Sequence, residues 1–301
     1  MLSRRQFIPQ TAVVTALCTA PYFTASAAAG FSPPIAVFSK VYQTLNLNFE
    51  DAATVTAEAG LDGIDCPVRP GGEVLPERVT EDLPRYAESL RRRKLTLALL
   101  TTAITNASTP HAEQILRTAK KLGVRYYRIG FIYRQEDAVK QLRETKAQLK
   151  DLAELNRQIG LTALVQNHSP SDHIYLGGNL AELREIVSDF DPAQVGVAFD
   201  IGHALIVDGD EWHAHFEKLK SHLKVAYVKD AQRDGHWVPF GQGDVGKTGY
   251  FKLLKEMNYH APISMHIEFD WTDQGKSKTR PALVQALKDS SRVLKQWLAE
   301  A

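Results

Sequence analysis

The sequence predicts a single α/β domain of the (β/α)8, or TIM, barrel class. From Ile35 onward, short apolar segments alternate with longer amphipathic ones, which is the pattern of repeated β-α units. Eight such units of about 30 residues account for the length of the chain. Several apolar segments also end in polar, ionisable residues, as strands do at the carboxyl ends of α/β enzyme barrels.

Each predicted strand is a short apolar segment bounded by polar or turn residues. In chain order they are Ile35 to Phe38, Gly63 to Cys66, Thr96 to Leu100, Arg125 to Ile129, Leu161 to Gln166, Gly196 to Asp200, Lys224 to Val228 and Ile263 to Phe269. The helices predicted between them are amphipathic. They are Phe49 to Ala59, Leu83 to Arg93, Thr109 to Leu122, Ala138 to Ile159, Asn179 to Ser188, Asp210 to His222, Gly249 to Met257 and Arg280 to Ala301. Gly60, Gly123 and Gly160 end three of these helices, where glycine supplies a left-handed C-cap.

A doubly wound open sheet is the main alternative architecture. No Gly-x-Gly-x-x-Gly motif follows the first predicted strand, and the polar strand ends are spread over many strands rather than gathered at one crevice. We therefore expect one barrel domain over residues 30–301 and no nucleotide cofactor.

Residues 1–29 have the features of an export signal. Ser3-Arg4-Arg5-Gln6-Phe7 is a twin-arginine pattern, the segment from Thr11 to Phe23 is apolar, and Ala25-Ser26-Ala27 suits a signal peptidase. We predict a cleaved twin-arginine signal peptide, and hence a periplasmic or otherwise exported protein with no membrane attachment after cleavage.

The charge balance disfavours a nucleic-acid-binding protein. The chain has 36 Lys and Arg residues and 35 Asp and Glu residues, whereas phosphate contacts require a basic excess on one face. Of the two cysteines, Cys18 lies in the predicted signal, so Cys66 alone would remain and no intramolecular disulfide could form. No sequence feature indicates an oligomeric state.

Four consecutive strands in the second half of the chain end in polar residues. These ends are Gln166-Asn167-His168-Ser169, Asp200-Ile201-Gly202-His203, Tyr227-Val228-Lys229-Asp230 and Ser264-Met265-His266-Ile267-Glu268. Alternate residues of a strand face the same side. The side chains expected to share a face are Gln166 with His168, Tyr227 with Lys229, and Ser264 with His266 and Glu268. Imidazoles and carboxylates gathered at a barrel mouth can bind a divalent metal or move protons near neutral pH.

A glycine-rich segment, Phe240 to Thr248, follows the seventh predicted strand. It lacks the Gly-x-x-x-x-Gly-Lys-Thr spacing of a nucleotide-binding phosphate loop. Loops after the seventh and eighth strands of barrels often hold phosphate groups, so a phosphate-binding loop is kept as an alternative.

These motifs resemble those of the xylose isomerase-like barrel superfamily, which contains sugar phosphate isomerases and epimerases, inosose dehydratases and apurinic endonucleases. The segments that carry the resemblance are Arg128-Ile129-Gly130, Gln166-Asn167-His168, Phe199 to Ala204, Val228-Lys229-Asp230 with Pro239 to Val245, and Ser264 to Phe269. The resemblance covers essentially the whole chain after the predicted signal. It implies a TIM barrel that converts sugars.

The resemblance also implies a divalent metal held by a glutamate, an aspartate, a histidine and a glutamate after strands five to eight. The matching positions here are Gln166, Asp200, Tyr227 and His266, so only the aspartate agrees. Two hypotheses remain open. In the first, a histidine-rich site suited to Mn, Zn, Co or Ni is formed by Asp200, His168 and His266, with Glu268 or His203 as a further ligand. In the second, the metal is lost and side chains alone act on the sugar.

Loss of both matching glutamates disfavours the two-carboxylate epimerase mechanism that the resemblance implies. The sequence instead favours a one-base reaction, in which His168 or Glu268 abstracts a proton next to a sugar ketone and a β-substituent can then leave. Lys229, Arg128 or a metal would stabilise the enolate oxygen, and His203 would protonate the leaving group. The side chains predicted to bind the sugar are Arg69, Arg128, Gln166, Tyr227, Trp237 and Trp271.

Two other functional classes stay open. An exported sugar-binding barrel without turnover could use the same aromatic side chains. A DNA-repair nuclease is disfavoured by the near-neutral charge and the predicted export. For both the enzyme and the binding protein, the expected partner is a small sugar or keto-sugar.

Overall fold

The computed structural model describes residues 31–273 and 275–301. In these residues eight parallel strands close into a barrel in chain order, with the last strand hydrogen-bonded to the first. The predicted single-domain (β/α)8 class is therefore confirmed. The predicted export signal, residues 1–29, lies outside the described residues.

The eight strands follow the predicted apolar segments closely. They are β1 (Ile35–Phe38), β2 (Gly63–Val68), β3 (Thr96–Thr102), β4 (Tyr126–Arg128), β5 (Thr162–Gln166), β6 (Val195–Asp200), β7 (Leu223–Val228) and β8 (Ile263–Met265). Val37 of β1 lies beside Met265 of β8 where the barrel closes.

Nine α-helices are present among the described residues and surround the barrel. They are α1 (Phe49–Glu58), α2 (Val79–Arg91), α3 (Ala112–Lys121), α4 (Ala138–Ile159), α5 (Leu180–Val187), α6 (Ile201–Val207), α7 (Trp212–Leu219), α8 (Tyr250–Glu256) and α9 (Arg280–Glu300). Within 31–273 and 275–301, none of the helices has the length and apolar character needed to cross a membrane.

Local sequence accounts for several helix boundaries. Five helices begin at a side chain that accepts a backbone N–H, namely Asn48, Asp137, Asn179, Asp200 and Thr279. Gly60, Gly123 and Gly160 have φ angles of +68°, +84° and +80°. The left-handed conformation predicted at these three glycines is therefore confirmed, and it ends each helix before the next strand.

The core has two apolar parts. A large cluster lies between the strands and the helices. A smaller one fills the barrel itself and consists of Ala36, Ala98, Leu99, Leu164, Ala198, Val225 and Tyr227. Three buried polar side chains, Asp65, Thr101 and Ser264, lie toward the carboxyl ends of the strands. The barrel mouth therefore has a packed floor rather than a pore.

Two differences from the predicted elements shape the mouth. β8 ends at Met265 rather than at Phe269, so the alternation of a strand does not extend to Glu268. Residues 201–207 form the short helix α6, which the sequence analysis does not predict. The Asp200 side chain accepts the His203 N–H at 3.2 Å and so caps this helix.

Candidate active site

The carboxyl ends of β6 and β7 bring a buried carboxylate and a buried ammonium into contact. Asp200 is 0% exposed and Lys229 is 3% exposed. The Lys229 Nζ lies 3.1 Å from Asp200 Oδ2, and Gln166 donates from Nε2 to the same oxygen at 3.0 Å. Burial raises the pKa of Asp200, and the adjacent Lys229 opposes that shift. Each charge is therefore stabilised by the other, because neither side chain is exposed to water.

His203 connects this ion pair to the rest of the site. Its Nε2 lies 2.8 Å from Lys229 Nζ, and its Nδ1 lies 2.8 Å from Ser169 Oγ. The backbone N–H of Ser169 also donates to Nδ1 at 3.1 Å, and an ammonium can only donate, so both ring nitrogens of His203 face hydrogen-bond donors. Burial, followed by the charge of Lys229, lowers the pKa of His203 well below its usual range. Because His203 is 2% exposed, direct protonation of a leaving group, its predicted role, is not available to it.

His168 is an imidazole at the open part of the mouth. Its ring is partly exposed and lies 3.8 Å, between centroids, from the His203 ring. Its Nδ1 is 2.7 Å from the Ser169 carbonyl oxygen. A carbonyl can only accept, so the proton is on Nδ1 and the lone pair is on Nε2. Burial, and then the charge of Lys229, lowers the pKa of His168 to about 3. His168 is therefore neutral at neutral pH, with one ring nitrogen able to take a proton.

A second hydrogen-bonded network forms the floor of the mouth. His266 Nε2 lies 3.2 Å from Ser264 Oγ, which in turn donates to Asp65 Oδ2 at 2.9 Å. Thr101 Oγ1 donates to the other Asp65 oxygen at 2.8 Å. Burial raises the pKa of Asp65 to about 6, and burial lowers the pKa of His266 well below its usual range. Both groups are therefore disfavoured in their charged forms by desolvation.

Asp65 is absent from the site residues that the sequence predicts. Its sequence signal is a carboxylate within an otherwise apolar strand, because a buried acid requires polar partners. Tyr227 also belongs to this floor and is 0% exposed. Its ring lies 4.6 Å from that of His266, and its hydroxyl is 3.5 Å from Thr101 Oγ1. Tyr227 thus supports His266 from below, and its predicted contact with substrate is not available at this depth.

An aromatic wall, formed by Phe131, Tyr133 and Tyr175, leads from His168 to the rim. Phe131 and Tyr175 each lie 4.8 Å from the His168 ring. Tyr133 is 5.8 Å from Tyr175 and is 56% exposed. A β-bridge between these two tyrosines joins the loops after β4 and β5. The Arg128 guanidinium lies 4.3 Å from the centroid of Phe131, so ring faces and a cation adjoin one another.

The remaining predicted sugar-binding residues lie at different depths. Trp237 is partly exposed, and its ring lies 4.9 Å from Lys229 Nζ. Arg69 follows β2 and is also partly exposed. Trp271 is 5% exposed and the amine of Lys278 lies 5.4 Å from its ring centroid. Trp271 therefore presents no open face for stacking on a sugar, in contrast to its predicted role.

Glu268 is separate from the buried groups. Its side chain is 26% exposed, and its Oε2 lies 3.7 Å from the Nζ of Lys40. Because β8 ends at Met265, Glu268 does not continue the face of Ser264 and His266. The shared face predicted for these three side chains is therefore not formed.

Asp230 organises the glycine-rich segment that follows β7. Its carboxylate, 1% exposed, accepts the N–H groups of Gly241, Gly243 and Val245 at 2.8, 2.9 and 3.2 Å. These are the donors that a phosphate would need. A Cβ at Gly243 would lie 2.3 Å from the Asp230 carboxylate, which accounts for that glycine. The loop is thus closed by its own carboxylate and does not provide the alternative phosphate site.

Comparisons with known proteins agree with this architecture. The sequence profile of the xylose isomerase-like TIM barrel family matches residues 53–297. The chain belongs to this family. A search of curated proteins found no match to the sequence.

Three solved structures illustrate the similarity to known folds. The 3-keto-D-glucoside 4-epimerase of E. coli is 14% identical, with a TM-score of 0.66 over 88% of this chain and 100% of that one. The D-allulose 3-epimerase of Methylomonas sp., in complex with D-allulose, is 14% identical, with a TM-score of 0.65 over 89% and 98%. The probable 3-DHS dehydratase of Bacillus anthracis is 15% identical, with a TM-score of 0.63 over 85% and 97%. At these identities the likeness establishes a shared fold.

The residues at this barrel mouth do not fit a divalent metal ion. Asp200, the carboxylate that agrees with the superfamily ligand pattern, already accepts from Gln166, His203 and Lys229. Across 31–273 and 275–301, no three His, Cys, Asp or Glu side chains form a group that could hold a metal. The predicted site of Asp200, His168, His266 and Glu268 is therefore not assembled, because Lys229 lies against Asp200 and Glu268 lies at the rim.

Glu73, in the loop after β2, is a half-buried residue whose carboxyl group makes stability depend on pH. It contacts Ser39 Oγ, and the Tyr86 hydroxyl donates to it at 3.2 Å. Burial raises its pKa from 4.5 to about 8. Between these two values the folded chain keeps a proton that the unfolded chain has released. The free energy of unfolding should therefore fall as pH rises through this window.

The Glu73→Gln variant should lack this dependence. Relative to wild type, its Tm should rise progressively from about pH 6.5 to about pH 8, a range above the pKa of Asp65, which is about 6. Differential scanning fluorimetry across that range measures the effect. Glu77→Gln removes an exposed charge nearby and should shift Tm equally at each pH. A difference in Tm between Glu73→Gln and wild type that stays constant across this pH range would contradict the prediction.

Proposed function

We propose that this protein is a sugar-converting enzyme that abstracts a proton next to the ketone of a 3-keto glycoside and then eliminates the glycosidic substituent. The observation that carries the proposal is the state of His168, a neutral imidazole with its lone pair on Nε2 at the open mouth. Membership in the xylose isomerase-like barrel family supports sugar chemistry. The similar fold of the E. coli 3-keto-D-glucoside 4-epimerase supports the choice of a keto glycoside.

In the first step, His168 Nε2 takes the proton from the carbon next to the ketone. The electrons of that C–H bond form the C=C bond of an enolate, and the negative charge moves to the ketone oxygen. Lys229, Arg128 and Lys40 are the cations that disfavour a protonated His168. For the same electrostatic reason they favour an anion at this place. One arrangement of charge thus keeps the base neutral and stabilises the intermediate.

In the second step, the glycosidic oxygen leaves and requires a proton. His203 is too deeply buried to supply it, and Glu268 is paired with Lys40 at the rim. As the enolate electrons re-form the ketone and make a C1=C2 bond, the C1–O bond breaks and the imidazolium formed at His168 returns its proton to the departing oxygen. The products are an unsaturated keto sugar and a free alcohol. The reaction consumes no oxidant, reductant or second substrate.

The aromatic wall supports a glycoside as the substrate. It extends from Phe131, beside His168, to the exposed ring of Tyr133, so a substituent joined to the reacting sugar can pack along it. The loop after β7 is closed by Asp230, which favours a neutral glycoside over a sugar phosphate. Export by the twin-arginine pathway stays a prediction, and it would place this substrate in the periplasm.

A 4-nitrophenyl 3-keto-glucoside in D2O tests the proposal. We expect deuterium at C2 of recovered substrate by NMR and enzyme-dependent release of 4-nitrophenol by absorbance. Since β-alkoxy ketones also eliminate slowly unaided, buffer without protein supplies the background rate. Exchange without release would instead support epimerisation. Saturable binding by calorimetry with neither exchange nor release would support the non-catalytic sugar-binding barrel.

A further inference from the structure

A buried ammonium lies among the side chains that match the superfamily's metal ligands. Lys229 Nζ is 3.1 Å from Asp200 Oδ2 and 2.8 Å from His203 Nε2. Gln166 Nε2 reaches the same Asp200 oxygen at 3.0 Å. The aspartate that would bind a metal is therefore paired with a lysine.

The charges of these side chains are balanced without a metal ion. Asp200 brings one negative charge and Lys229 brings one positive charge, and the two lie 3.1 Å apart. Gln166 carries an amide that donates to Asp200, whereas a carboxylate there would place a second negative charge beside it. A divalent cation added to this set would lie against the ammonium and would leave a net positive charge in a desolvated position.

The residues around Lys229 contact its side chain and leave space for it. The Lys229 amine lies 4.9 Å from the centroid of the Trp237 ring. At Gly202, in the first turn of α6, a Cβ would lie 3.0 Å from Lys229 Cγ and 3.1 Å from Trp237 Cζ3. A glycine at this position thus makes room for the lysine stem and the indole together. The position of Lys229 is determined by contacts on several sides, not by Asp200 alone.

We propose that the Lys229 ammonium replaces the divalent metal ion of this barrel superfamily, so that the site is metal-independent. The replacement follows from the contacts of Lys229 and does not depend on which reaction occurs. Its contribution to enolate stabilisation rests on the proposed function.

Metal content and thermal stability of the purified protein test the replacement directly. Elemental analysis should find substoichiometric Mn, Zn, Co and Ni. The Tm should be the same after EDTA dialysis and in the presence of added Mn²⁺, because a ligand that binds the folded state would raise it. One bound equivalent of metal, with a lower Tm after its removal by EDTA, would overturn the inference.

A paired substitution should restore cation binding. Gln166→Glu with Lys229→Ala adds a carboxylate beside Asp200 and removes the ammonium, and its Tm should rise with Mn²⁺ concentration. Lys229→Ala alone and Gln166→Glu alone are the controls and should respond less. A folded double variant whose Tm ignores Mn²⁺ would overturn the assignment of Lys229 to a cation position. If the double variant does not fold, the metal content and Tm of the wild-type protein still test whether Lys229 replaces the metal.

The exchange assay separates failure of this inference from failure of the proposed function. Deuterium exchange that persists after EDTA dialysis supports both the metal-independent site and the proposed reaction. Exchange that EDTA abolishes and Mn²⁺ restores would overturn metal independence while leaving the reaction in place. A metal-free protein with no exchange would support the replacement and contradict the reaction.

Discussion

Lys229→Met is expected to lower the free energy of unfolding by about 3 to 5 kcal/mol. Methionine has a similar unbranched stem, but it leaves the Asp200 carboxylate, which is 0% exposed, without its cation. Gln166 and the His203 N–H would still donate to that carboxylate, but neither carries a charge. Urea unfolding at neutral pH, followed by circular dichroism, measures the loss.

Two further variants test whether the ion pair causes this loss. Adding Asp200→Asn to Lys229→Met should recover most of the stability, because no buried charge then remains uncompensated. Lys220→Met is a matched surface control, since its amine pairs with Glu217 at 2.6 Å while 47% exposed. That substitution should cost less than about 1 kcal/mol. If Lys220→Met and Lys229→Met lowered the free energy of unfolding equally, burial of the ion pair would not explain the loss in Lys229→Met.

His168→Gln is expected to lower kcat for elimination and deuterium exchange by about 10²- to 10⁴-fold. Glutamine keeps a polar side chain beside Phe131 and Tyr175, but it has no basic nitrogen. KM should change much less than kcat, because the aromatic wall and the cations remain. The assay on the 4-nitrophenyl 3-keto-glucoside measures both constants.

The pH profile gives an independent check on His168. Burial lowers its pKa to about 3, so its Nε2 is unprotonated from about pH 5 to about pH 8. The ratio of wild-type to His168→Gln activity should therefore be nearly constant over that range. His260→Gln is the control, because His260 is exposed and hydrogen-bonded to Asn258; its kcat should match that of wild type. Full activity in His168→Gln would show that another group takes the proton.

The fold could be predicted because its determinants are local in sequence. Strand and helix periodicity, and glycines such as Gly60 and Gly160 at helix ends, depend on residues a few positions apart. The same local pattern located the polar strand ends, including Asp200 and Lys229. It could not identify Asp65 as a site residue, because its partners Thr101 and Ser264 are 36 and 199 positions away.

Errors in the predicted site have the same origin. Strand alternation grouped Glu268 with His266, but β8 ends at Met265, and that boundary depends on barrel closure. Trp271 and Tyr227 have side chains suited to sugar binding, yet both are buried. Trp271 packs against Lys278, and Tyr227 packs against His266. Residue type indicates what a side chain can do, whereas accessibility is set by neighbours from distant segments.

Local sequence patterns are enough to predict a (β/α)8 barrel with ionisable groups collected at the ends of its strands, because repeating apolar patterns specify strands, helices and their order. The contacts among those groups follow from the way the strands pack in three dimensions. This packing brings Lys229 against Asp200, places His168 at the open mouth and leaves Glu268 at the rim. These outcomes depend on side chains of different strands competing for the same buried space and the same hydrogen bonds, which no local pattern records.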